Sequence, residues 1–214
     1  MTDSDASRVY DDEFGYVKEL LSHPAGEWVC HYNEDNIQTY KKNGTTENME
    51  IVKCVAVIKG ITAEQAFRAF YELQERQRWD ATFTNAQVLE DDSERNAFTY
   101  LYNVPSQVLK NHREALLERK LGKNFPEMGS VAFVERSVSH PNKPMTAKTT
   151  RLYFKTNCMF FQDAETTTSG CKISWVTEMT QNNTPETDVK SFNQPESVIK
   201  AMKEFYGSSL YWKA

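Results

Sequence analysis

Between about Phe83 and Thr180 the chain is a succession of strand signals with no helical period among them, and this constrains the fold more than any other feature. The extended runs are 83–90, 96–104, 112–121, 131–139, 148–161 and 171–180. Turn-forming residues punctuate them at Asp91-Asp92-Ser93, Gly122-Lys123, Gly129-Ser130, Pro141-Asn142-Lys143-Pro144 and Ser169-Gly170. Parallel neighbours need long, usually helical crossovers, so successive strands joined by short turns predict an antiparallel sheet.

Three more extended runs precede them, at 27–32, 36–41 and 50–59, with Asn43-Gly44 as the turn before the third. In that third run Val52, Cys54, Ala56 and Ile58 alternate with Lys53, Val55 and Val57, so both faces are largely apolar. Helical periods appear in three places. Residues 8–22 carry Tyr10, Phe14, Val17 and Leu21 and stop before Pro24. Thr62 is placed to cap a second helix whose apolar side is Ala66, Phe67, Phe70 and Leu73. Residues 195–211 open on Pro195 and present a stripe of Val198, Ile199, Met202, Phe205, Tyr206 and Leu210. No repeat or low-complexity tract interrupts this order, and 1–214 is expected to form one α+β domain.

A net charge of −5 and a pI near 5.5 argue against nucleic acid, whose phosphates call for a basic face. No apolar run reaches membrane-spanning length, and the acidic start at Met1 to Asp12 lacks the apolar segment of an export signal. Cys30, Cys54, Cys158 and Cys171 occur singly and read as reduced thiols of a cytoplasmic chain. No nucleophile elbow, dinucleotide loop or phosphate loop occurs, and His23, His31, His112 and His140 lack metal-ligand spacing. The expectation is a protein without metal, cofactor or catalytic site. Twelve Phe, ten Tyr and four Trp supply apolar volume for a filled core or a lined cavity.

The segment Glu75-Arg76-Gln77-Arg78-Trp79-Asp80 closes the second helix. Arg76 and Asp80 are four residues apart and share one helical face, with Trp79 beside them. Spacing alone fits an ordinary surface ion pair anchored by an aromatic. It also fits a cation and an anion aimed together into a pocket.

At this point the residues resemble the START (StAR-related lipid-transfer) domain family. Gly60-Ile61-Thr62-Ala63-Glu64-Gln65-Ala66-Phe67, then Arg76 to Asp80 with Phe83 and Val88-Leu89, are similar to its second helix and following strand. His112-Arg113-Glu114 with Arg119 is similar to its Arg-Asp strand. Ser137-Val138-Ser139-His140-Pro141-Asn142-Lys143-Pro144, followed by Arg151, resembles its Ser-Val-x-His-Pro-x-x-Pro element, and Trp28, Ile37 and Tyr40-Lys41-Lys42 look like its opening strands. The motifs lie closest to members of the phosphatidylcholine-transfer type.

The resemblance implies a helix-grip fold, a curved antiparallel sheet of about nine strands wrapped around a long C-terminal helix and enclosing a lipid tunnel. Each methylene is worth about 0.8 kcal/mol on burial, so a tunnel removes most of the cost of carrying acyl chains through water. The implied function is non-enzymatic binding or transfer of one lipid, a phospholipid first and a ceramide or sterol-like lipid as the alternative. An enzyme of the wider superfamily acting on an apolar substrate, or an interaction module with a filled interior, are the rivals. Head-group binding falls by resemblance on Arg76, Asp80, Tyr100, Tyr102 and Arg113, which turns the ion pair toward the cavity. Trp79, Phe98, Met202, Phe205 and Tyr206 are expected to line or close the cavity. Val108 and Leu109 are expected at its mouth in transient contact with a membrane surface. The protein is expected to be monomeric and peripheral at membranes. One departure concerns choline: a cage position that is aromatic in the choline binder is Ala115 here, and another falls near Lys155.

Overall fold

The computed structural model describes residues 11–46, 48–105, 112–125, 127–164, 170–180 and 194–208. Helix α1 (Asp11–Ser22) leads into β1 (Val29–Glu34), β2 (Ile37–Asn43) and β3 (Met49–Lys59). Helices α2 (Ala63–Tyr71) and α3 (Leu73–Trp79) follow, then β4 (Thr84–Asp92), β5 (Ala97–Val104), β6 (His112–Lys123) and β7 (Val131–Ser137). The chain continues through β8 (Thr149–Arg151), β9 (Phe154–Asp163) and β10 (Gly170–Thr180) to helix α4 (Pro195–Ser208).

Nine strands form one path in the order β1-β2-β3-β10-β9-β7-β6-β5-β4. Every pairing on the path is antiparallel, as the run of strand signals requires, and the sheet is open, with β1 and β4 at its edges. Its two halves are joined by β3 and β10, which pair from Met49↔Thr180 to Lys59↔Gly170 without a shift.

Strand alternation divides the sheet into two faces. On the outer face, Phe14, Val17 and Leu20 of α1 pack against Ile51, Ala132, Val134, Cys158, Phe160 and Val176. On the inner face, α2, α3 and α4 cover Cys54, Ala56, Phe133, Met159, Phe161, Ile173 and Trp175. Each large side chain fully buried here contributes roughly 1.5–3 kcal/mol relative to exposure. Helix α4 is seated by Ile199 and Met202, both fully buried, and by Glu196, which accepts from Thr39 Oγ1 of β2 at 2.9 Å.

One carboxylate under α1 belongs to the outer face. Glu178 is fully buried and accepts from Tyr16 Oη at 2.5 Å, Thr45 N at 2.8 Å and Thr45 Oγ1 at 2.6 Å, with Lys155 Nζ 3.3 Å away. Burial alone would raise its pKa. The hydrogen bonds from Thr45 and Tyr16 and the charge of Lys155 outweigh that cost and hold the pKa below the ordinary value.

The sequence pattern differs from the structure in three places. The helical period after Thr62 is broken at Glu72, whose φ of −75° and ψ of 112° are extended, so two helices meet at an elbow. The extended run 148–161 is two strands, because Leu152 N turns to donate to Glu114 O, and β8 lies parallel to β6. The first strand begins at Val29, after a short 3-10 turn at Ala25–Glu27.

Candidate functional site

Local chemistry fixes the helices that carry the site. Thr62 caps α2 through a reciprocal capping box, in which its hydroxyl accepts from Gln65 N and Gln65 Oε1 accepts from Thr62 N. The face of α2 that carries Ala66, Ala69 and Phe70 is buried on the sheet. Trp79 sets the rotation of α3: its indole N–H donates to Ala69 O at 3.1 Å, and its ring meets Phe70 edge-on at 4.9 Å. With Trp79 turned that way, Arg76 points into the inner face.

Arg76 and Asp80 have side chains 8% and 2% exposed, so they are not a surface pair. Arg76 Nε donates to Asp80 Oδ2 at 2.9 Å, and Asp80 Oδ1 accepts from Thr82 N at 2.9 Å and Thr82 Oγ1 at 2.6 Å. The guanidinium lies over Phe83 at 4.4 Å from the ring centre and near Phe70 at 5.7 Å. Burial works against its charge, but Asp80, helped by Tyr102, Tyr100 and Glu135, more than offsets it and raises its pKa. A guanidinium also presents donors on its two terminal nitrogens. Those of Arg76 donate to none of the described residues.

Tyr102 borders the same space. Its ring sits 4.4 Å from Phe83 and is nearly parallel to Tyr100 at 5.9 Å, and its hydroxyl has no hydrogen-bond partner among the described residues. Burial raises the pKa of both tyrosines, so each remains a neutral hydroxyl.

A second buried cation is arranged differently. Arg119 Nε donates to Glu135 Oε1 at 2.5 Å, Nη2 donates to Tyr100 Oη at 2.9 Å, and Nη1 donates to the carbonyls of Phe70 and Tyr71. Tyr100 Oη donates to Glu135 Oε1 as well, and Asn157 Nδ2 donates to Glu135 Oε2 at 2.6 Å. Trp175 Nε1 donates to Asn157 Oδ1 at 2.6 Å. The register explains the row: Arg119 pairs with Glu135, Glu135 with Asn157 and Asn157 with Thr177. Every nitrogen of Arg119 is thus occupied by the protein, and its Nη1 holds the end of α2 at the elbow.

The remaining expected residues are placed as follows. Arg113 is buried on β6, opposite Val104 and beside Thr150 of β8. Phe98 is half-buried in a groove of about 470 Å³ with Tyr71, Leu73, Ala86 and Val88. Met202 is fully buried with Trp79 in the inner cluster, against which Phe205 and Tyr206 pack. Phe205 and Tyr206 also line a groove of about 500 Å³ with Arg68, Glu72, Glu75 and Arg78, where Tyr206 Oη donates to Glu75 Oε1 at 2.5 Å. Val108 and Leu109 lie outside the described residues. Ala115 pairs with Tyr102, and Lys155 projects to the outer face toward Glu178 and the Tyr16 ring.

Sequence reasoning alone did not assemble Glu135, Asn157, Trp175 and Tyr71 around Arg119. The available signal was a polar residue at an inward position of an apolar strand: Glu135 after Ala132-Phe133-Val134, and Asn157 before Cys158-Met159-Phe160-Phe161.

A family model described as START domain matches residues 17–183. Among solved structures, human STARD10 superposes with a TM-score of 0.75 at 17% identity, covering 94% of this chain and 80% of that one. Human StAR-related lipid transfer protein 5 gives a TM-score of 0.71 at 15% identity, with 91% and 95% covered. A STAR-related lipid transfer protein fragment from Xanthomonas axonopodis gives 0.65 at 10% identity, with 84% and 98% covered. At these identities the likeness is one of fold. No curated protein matches the chain by sequence.

Proposed function

This chain belongs to the START domain family, and from that membership we propose that it is a non-enzymatic carrier or sensor of one lipid molecule, a phospholipid. Two of the three solved structures it resembles are StAR-related lipid transfer proteins by name, which supports lipid binding as the activity. The observation that carries the reading is Arg76: a buried side chain, fixed through Nε alone, with its terminal nitrogens unclaimed by the described protein. Burying a cation is costly unless its donors are met, and a phosphate group meets two parallel N–H donors of one guanidinium well. Asp80 keeps Arg76 paired and oriented, and Tyr102 offers a hydroxyl to the same group. Arg113, at the end of β6, is the further cation assigned to the head-group end.

The acyl chains belong to the apolar part of the inner face, which Trp79, Phe98, Met202, Phe205 and Tyr206 line or close. Val108 and Leu109 are assigned to contact with a membrane surface during loading. No helix among the described residues is long and apolar enough to cross a membrane. We propose a peripheral, transient association of a cytoplasmic monomer.

Native mass spectrometry of the purified chain tests the reading. Protein from a bacterial host should carry one phospholipid mass, and Arg76→Met should lose it while keeping its circular dichroism spectrum. A wild-type chain that takes up no lipid, from the host or from phospholipid vesicles, overturns it. Val108→Asp with Leu109→Asp should slow transfer between vesicles without changing the amount bound at equilibrium.

A further inference from the structure

We infer that the head-group end selects a lipid that is anionic and rich in acceptors, carrying no ammonium group; the inference rests on the lipid-binding reading above and specifies its ligand. Around Arg76 the unused groups are donors: its two terminal nitrogens and the hydroxyl of Tyr102. The nearby carboxylates are already engaged. Asp80 takes Arg76 on one oxygen and Thr82 twice on the other. Glu135 takes Arg119 and Tyr100 on Oε1 and Asn157 on Oε2. A primary ammonium needs several acceptors, and these two carboxylates retain one lone pair each, on Asp80 Oδ2 and Glu135 Oε2, against the two unused terminal nitrogens of Arg76.

A quaternary ammonium has no N–H and is bound through ring faces. Arg76 lies over Phe83 and Phe70, and Arg119 lies over Phe133, Tyr100, Tyr71 and Phe98 at 4.4 to 5.5 Å. Six of the rings at this end therefore face a fixed cation, which repels a second one, and Tyr102 is left as a single ring rather than a cage. Across from Tyr102 the sheet offers the methyl of Ala115, and Lys155 faces the other side of the sheet. A phosphomonoester or a carboxylate meets the free donors and brings no cation to place.

The test is uptake by the delipidated full chain from vesicles containing equal amounts of dioleoyl phosphatidic acid, phosphatidylcholine and phosphatidylethanolamine, read by native mass spectrometry. A parallel arm contains oleic acid. Phosphatidic acid should be bound at least about tenfold over the two zwitterionic lipids. Tyr102→Phe, which keeps the ring, and Arg76→Lys, which keeps the charge but loses the fork, should each narrow that preference without lowering the thermal midpoint. Uptake of oleate in place of phosphatidic acid supports the inference, with a carboxylate as the anion. Equal or preferred uptake of phosphatidylcholine or phosphatidylethanolamine overturns it and leaves lipid binding standing. Failure to take up any of the four lipids overturns the lipid-binding reading and this inference with it.

Discussion

Arg119 stands directly across from Glu135 in the β6–β7 ladder, and its Nε donates to Glu135 Oε1 at 2.5 Å with both side chains almost fully sealed from solvent. Removing one member of a buried pair strands the other charge, at a cost of about 3–5 kcal/mol. Glu135→Ala should therefore lower unfolding stability by that amount in urea titration. Arg119→Met combined with Glu135→Leu should cost less than either single change, because no buried charge remains. A Glu135→Ala chain as stable as wild type would show that Arg119 is not held as described.

The contact between Tyr16 and Glu178 predicts an acid response. The carboxyl pKa is depressed in the fold, so its contribution is present above the ordinary glutamate value of about 4.3 and fades as pH falls through the lower folded value. Wild type should lose stability over that acid window, and Glu178→Gln should flatten the loss. At neutral pH the same substitution should cost about 2 kcal/mol, since hydrogen bonds to a charged acceptor are replaced by neutral ones. Parallel slopes for the two proteins between pH 5 and pH 3 would refute the assignment.

Tyr206→Phe should loosen the second half of α4. Its hydroxyl is tied to Glu75, whose pKa is lowered because the bonds from Tyr206 and Arg78 exceed the cost of burial. The tie is complete above about pH 4.3 and weakens as pH falls below that. The expected loss is about 1 kcal/mol, visible as faster amide exchange over 202–206. Unchanged exchange there would place the restraint on α4 elsewhere.

Thr62→Ala should cost about 1 kcal/mol of stability by removing one arm of the capping box, while Thr62→Ser should be nearly neutral. Thermal melts of the two variants decide this directly.

The fold was legible because its signals are local. Alternating strands, turn residues and the Thr62 cap each lie within a few positions of one another, so element order could be read one stretch at a time. Arg76 and Asp80 were legible as one helical face, but spacing could not say which way that face pointed. Trp79 decides it, through a bond to Ala69 that no local period encodes. The elbow at Glu72 was invisible because neither proline nor glycine marks it. Donors from Arg119, far along the chain, meet the carbonyls of Phe70 and Tyr71 there. The polar row from Arg119 to Trp175 depends on strand register across β6, β7, β9 and β10, which emerges only when the sheet assembles.

The elbow at Glu72 has a bearing on how this protein could evolve. Upstream of it, α2 is moored to the sheet through Arg119; downstream, α3 carries Arg76 on a short lever. Under the proposed role of Arg76, a change in the lever's pitch would retune which cargo is accepted while the mooring, and with it the durability of the scaffold, stays as it was. On that proposal, selectivity and robustness would fall on adjacent pieces of chain.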